Sequence, residues 1–173
     1  MPITQPPYVF LNQGEGKSLW VMGTLLTLKA ERETTGPDYA FMERLARPGY
    51  GQAAHVHRLE DETLILLEGE MSGFCGERQW RATAGSFVFL PRGVVHGFKI
   101  EGRQPARMYM IFSPAGFEGF YKELGVPAKE LTLPPPGLPD PLLSAKMIAL
   151  SARYQLELQG PLAILEKMVE LFV

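Results

Sequence analysis

Cysteine and histidine are both scarce in this chain: one cysteine, Cys75, and three histidines among 173 residues. A single cysteine excludes an internal disulfide, so the core has to hold the fold. Neither sign of charge is in excess. Seventeen basic and nineteen acidic residues leave a net charge of −2, and without a basic surplus the electrostatic case for nucleic-acid binding falls away. Long apolar runs are absent too. Runs such as Leu64–Leu67 stop far short of the ~20 residues that cross a bilayer. Residues 1–19 combine neither a basic nor an apolar segment, so no secretory leader is expected. These absences predict a soluble cytoplasmic protein with neither membrane nor nucleic acid among its partners. What is present is ordinary globular substance: 46% apolar residues, enough at this length to bury one real core.

Helical periodicity is missing before Pro114. Residues 1–18 read as an irregular arm. Leu19–Lys29 is apolar and β-compatible, Glu31–Asp38 is polar and turn-rich, and Tyr39–Ala46 reads as a strand stopped by Arg47-Pro48-Gly49. Six further short apolar runs follow between Ala53 and Phe112, separated by Gly, Pro and charged clusters. Many short strands with turn signals predict a sandwich or a barrel. After Pro114 the texture changes. Phe117, Phe120, Tyr121 and Leu124 fall on one helical face that Gly125 can cap. A proline-rich connector, 131–141, leads to a second helical stripe of Leu143, Met147, Leu150 and Tyr154, read as running through Leu158. A last amphipathic helix opens at Pro161. The predicted organisation is an all-β body, 1–113, and a helical tail, 114–173, packed on the barrel or on a partner subunit.

The three histidines fall in a pattern. His55 and His57 are two apart, which on a strand puts both imidazoles on one face. Glu62 follows across a charged turn and starts the next apolar run. His96 comes after the Pro91-Arg92-Gly93 turn and opens another. Three neutral nitrogens and one anionic oxygen suit a divalent transition metal better than Ca²⁺ or Mg²⁺, which take mostly oxygens. Fe, Mn, Co, Ni, Cu and Zn all accept such a set. Glu60 and Asp61 read as solvated turn residues, with Glu60 a possible substitute ligand. Cys75 reads as a bystander thiol and Arg92 as exposed.

These spacings resemble the two motifs of the cupin superfamily. The first runs Gly49, five residues, His55, one, His57, four, Glu62, six, Gly69. The second runs Gly85, five residues, Pro91, one, Gly93, two, His96. Where the second motif often has Asn, this chain has Ile100. Residues 14–162, with the PAGFEGFYKELG stretch and the segment before the first motif, are similar to single-domain cupins of the quercetin 2,3-dioxygenase kind. The resemblance implies a mainly β fold, the cupin double-stranded β-helix or jelly-roll barrel, with the C-terminal helices outside it. It implies one divalent transition metal held by His55, His57, Glu62 and His96. It also implies a homodimer, and Glu62 as the base that takes a substrate hydroxyl proton.

Period-two alternation then turns Val94 and Phe98 inward beside His96, and Leu64 and Leu66 inward beside Glu62, as a tentative substrate pocket. Such a lining predicts an apolar or aromatic small molecule, with no arginine or lysine placed inside to hold phosphate. The function expected is a metal-dependent dioxygenase acting with O₂ on a flavonol-like or other enolisable aromatic substrate. A non-catalytic small-molecule-binding cupin and an O₂-independent metal-dependent isomerase or lyase are the alternatives, because one fold hosts many chemistries.

Overall fold

The computed structural model describes residues 8–136 and 141–159. The first apolar stretch divides into β1 (Lys17–Val21) and β2 (Thr24–Ala30). The turn between them is Met22-Gly23, at φ 50° and 71°, two left-handed residues whose twist matches that of paired strands. A one-turn helix, α1 (Arg32–Thr35), fills the polar segment. Then come β3 (Ala40–Ala46), β4 (Gly51–His57), β5 (Asp61–Glu68), β6 (Glu70–Cys75), β7 (Arg78–Thr83), β8 (Phe87–Leu90), β9 (His96–Glu101) and β10 (Ala106–Ser113).

Two antiparallel sheets face each other. One, completed by β11 (Val126–Pro127), has the order β11-β1-β2-β3-β10-β5-β8, and the other, completed by β12 (Leu156–Leu158), has the order β12-β4-β9-β6-β7. Inward positions alternate as expected for a barrel with one wet face. Ala40, Met42, Arg44 and Ala46 of β3, Glu62, Leu64 and Leu66 of β5, and Met108, Met110 and Phe112 of β10 are all buried. The chain crosses from the first sheet to the second at Gly69, where φ is 88° and a Cβ would come within 2.8 Å of the Ala106 Cα. Only glycine fits there.

The segment after Pro114 is not helical throughout. The predicted stripe of Phe117, Phe120, Tyr121 and Leu124 is buried on α2 (Glu118–Leu124). Next, β11 (Val126–Pro127) adds to the edge of β1. The helix α3 (Pro141–Arg153) buries Met147 and Leu150, but it ends before Tyr154 rather than running through Leu158. Gln155, at φ 52°, reverses the chain, and β12 (Leu156–Leu158) pairs with β4. Both sheets are thus completed by strands from beyond residue 113. The helix expected from Pro161 onward lies outside the described residues.

Candidate metal centre

Three imidazoles and one carboxylate converge inside the barrel. His55 and His57 share the inner face of β4. His96, at the start of β9, stands directly across the ladder from His55, and opposite residues of an antiparallel pair share a face. The His55 and His96 ring centroids are 4.4 Å apart. Glu62 reaches in from β5 of the facing sheet. One donor atom from each of the four lies within 4.8 Å of all the others, and all four residues are buried.

The backbone orients the rings. Nδ1 of His55 lies 2.7 Å from the Ala53 carbonyl, and Nδ1 of His96 lies 2.9 Å from the Val94 carbonyl. A carbonyl only accepts, so in both rings Nδ1 carries the proton and Nε2 offers its lone pair to the centre. Glu62 Oε2 stands 3.3 Å from His96 Nε2 and 3.9 Å from His57 Nε2. Even so, His96 Nε2 and both Glu62 oxygens have no hydrogen-bond partner. Leaving such atoms buried and unpaired costs roughly 1–3 kcal/mol each. A divalent cation at the centre satisfies all three together, and three nitrogens with one carboxylate is a transition-metal donor set. The residues fit such an ion.

The charge states of Glu62 and His55 agree. Burial resists ionisation of Glu62, but contact with His96 and the neighbouring imidazoles outweighs it and holds the carboxyl down at about 2. Burial, His57 and His96 push His55 down to about 3. At neutral pH the pair is carboxylate and neutral imidazole, the forms in which these side chains ligate metals.

Two details of the surroundings escaped sequence reasoning. The first is a bulge in β4. The β4–β9 register slips between Gln52 and His55, so Gln52 joins His55 and His57 around one pocket although an odd spacing separates it from both. The second is the roof. Met22, Phe117, Phe120, Tyr121, Met147, Leu156 and Leu158 close over the two imidazoles and leave a cavity of about 40 Å³. Phe117 packs edge-on against His57, ring centroids 4.3 Å apart. The expected lining residues lie elsewhere: Leu64, Leu66 and Phe98 belong to the core, and with Val94 they do not line this pocket.

Other expectations need correction. Glu60 is buried, not solvated. Its Oε2 lies 3.6 Å from Nδ1 of His57, on the side away from the cluster, and it is not one of the four converging groups. Asp61 grips Arg92 through three hydrogen bonds of 2.8–3.1 Å. Cys75 is opposite His96 across the β6–β9 ladder, yet it lies outside the cluster, and burial pushes its thiol pKa up. Contrary to the expectation of no cation inside, Arg44 is fully buried on the inward face of β3.

Family comparison agrees with this architecture. A cupin domain model matches residues 42–112, from β3 through the metal-site strands to β10. The barrel has the cupin fold. Among solved structures, KdgF from Halomonas sp. aligns over 65% of this chain and 99% of its own, at 17% identity and TM-score 0.56. A predicted oxalate decarboxylase from Thermotoga maritima aligns over 61% and 99%, at 16% identity and TM-score 0.56. An RmlC-like cupin from Shewanella frigidimarina aligns over 66% and 99%, at 19% identity and TM-score 0.54. At such identities the likeness is one of fold. No curated protein matches the chain. Among the described residues of this chain, no helix is long and apolar enough to cross a membrane.

Proposed function

We propose that this cupin is a metal-dependent dioxygenase acting on a small enolisable aromatic substrate. One observation carries the proposal: the buried cluster of His55, His57, Glu62 and His96 borders, through His55 and His57, a pocket walled by Phe117, Phe120, Tyr121, Met147, Leu156 and Leu158. When bound, the divalent ion supplies a Lewis acid with coordination positions beyond the four side chains.

The chain's own residues do the rest. The aromatic roof excludes water and presents ring faces to a flat substrate. Three neutral imidazoles and one carboxylate would leave a bound divalent ion with net positive charge, a setting that would favour an enolate or phenolate oxygen over a neutral one. Glu62, ionised and with both oxygens unpartnered, is the group placed to accept the substrate's hydroxyl proton. A cavity of about 40 Å³ is far below the ~300–1,000 Å³ of ligand pockets. Substrate entry therefore requires the α3–β12 roof to lift.

The test is oxygen uptake by protein loaded with each of Fe, Mn, Co, Ni, Cu and Zn in turn, with quercetin as probe and His96→Ala as blank. Uptake above the blank with at least one metal is the expected result. Quercetin consumption that proceeds equally without oxygen would replace the dioxygenase with an O₂-independent isomerase or lyase. No consumption by fully loaded protein would leave a binding module.

A further inference from the structure

Arg44 is a buried cation that makes no ion pair among the described residues, although the Glu62 carboxylate bears on it electrostatically. Its side chain is 0% exposed. One guanidinium nitrogen donates to the Tyr50 hydroxyl at 2.5 Å, and the guanidinium carbon sits 4.9 Å from the Tyr121 ring centroid. Its Nε and Nη2 have no hydrogen-bond partner. The buried acids among the described residues have other contacts. Glu62 belongs to the metal cluster and Glu60 faces His57. Glu118 accepts the backbone N–H groups of Arg32 and Gly116.

An unpaired guanidinium in a dry interior costs several kcal/mol. A divalent ion in the cluster deepens the deficit, because it adds positive charge to the same barrel. Two idle donors in a planar fork match the two oxygens of a carboxylate. These donors adjoin the pocket through its wall. Tyr121 both lines the pocket and stacks on Arg44. Gln52, turned inward by the β4 bulge, donates to the Tyr121 hydroxyl at 3.3 Å and keeps its own Oε1 unpaired.

We infer that Arg44, together with Tyr50 and Tyr121, is a carboxylate-binding site, so that the ligand of this pocket is a small acid held between Arg44 and the metal centre. The inference rests on the proposed function only for the pocket being the substrate's, and it names the anionic group the substrate carries.

Zinc-loaded protein titrated with acetate and with acetamide, its neutral isostere, tests this. Nitrogen–proton spectra report on the Arg44 Nε–H directly. Acetate is expected to shift that signal and to bind at least about tenfold more tightly than acetamide. Arg44→Lys, which keeps the charge without the fork, should lower the ratio. Arg44→Met should abolish it while zinc content stays unchanged. If acetate moves only the histidine ring signals, the anion sits on the metal and the inference is overturned. Equal shifts from acetamide, or none from either probe, overturn it as well. The wild-type titration decides the matter even if Arg44→Met fails to fold. Oxygen uptake is a separate measurement, so failure of the carboxylate site and failure of the dioxygenase proposal are distinguishable.

Discussion

Leu158 of β12 lies directly opposite His55 of β4 in an antiparallel ladder. The same register sets Leu156 opposite His57, so both leucines point where the imidazoles point. A strand from beyond the barrel's tenth strand thereby becomes part of the wall above the metal cluster. Arg58 and Glu157 fasten its outer side with two hydrogen bonds, 2.7 and 2.6 Å. That pair is half-exposed, so it guides the register more than it adds stability.

Gly119 controls how closely this roof seats. A Cβ at that position would fall 2.4 Å from the Tyr154 hydroxyl oxygen, and Tyr154 ends just two residues before β12. Gly119→Ala should therefore push Tyr154 outward and loosen α3 and β12 while leaving the barrel intact. The expected cost is about 1–3 kcal/mol, the range for overpacking. Thermal denaturation should report it, and hydrogen exchange should show faster exchange confined to β12 and its β4 partners. Unchanged exchange there would mean that Tyr154 does not seat the roof.

His96→Ala removes one of four converging donors and leaves Glu62 without its nearest imidazole. The variant should lose metal affinity by at least about 10–100-fold, since even outer-shell losses reach that size. Equilibrium titration with zinc, with metal content measured after desalting, checks it. Native stoichiometry in the variant would strike His96 from the ligand set.

Chelation should destabilise the wild type much more than His96→Ala. Metal that binds only the folded state adds stability as RT ln(1 + [L]/Kd), about 4 kcal/mol when the ion is at a thousand times Kd. For a chain of this size each kcal/mol shifts the melting temperature by roughly 2–4 °C. Calorimetry with and without chelator should show a large difference for the wild type and almost none for the variant.

The convergence of the three histidines and Glu62 is legible in the sequence because it follows from two periodicities. His-x-His fixes two rings on one strand face whatever the fold, and the Pro91–Gly93 turn starts the strand that carries His96. Gln52 was invisible for the opposite reason: a bulge breaks the parity on which such readings depend, and nothing in Gly51–Ala54 marks it. Arg44 was hidden by its company. In Ala40–Ala46 either alternating set could face inward, and placing a lone arginine inside runs against burial statistics. Leu156–Leu158 was absorbed into the preceding helical stripe because three residues are too few to reveal a change of period. The roof was lost with it, which is why the expected pocket was drawn among Leu64, Leu66, Val94 and Phe98 instead.

Arg92 and Asp61 tie the turn before His96 to the strand that carries Glu62. Arg92 also donates to the Ser113 carbonyl at 3.0 Å, and Gly93 N–H reaches the His57 carbonyl at 2.8 Å, so one turn touches three strands around the cluster. The hydrogen bond from the Arg92 side chain outweighs burial and holds the Asp61 carboxyl below the usual aspartate range. A carboxyl lowered on folding stabilises the native state above its unfolded pKa and loses that contribution as pH falls through the folded one. The Arg92→Ala variant should thus be less stable than wild type near neutrality. The gap should stay under about 1 kcal/mol, because the side chains are 46% and 29% exposed. It should narrow steadily as the pH falls from the ordinary aspartate value of about 4 through the lowered value of the folded state. Denaturant melts of both proteins across that range measure the gap. A gap that persists undiminished at strongly acidic pH would assign the effect to the Ser113 contact and remove the carboxylate from it.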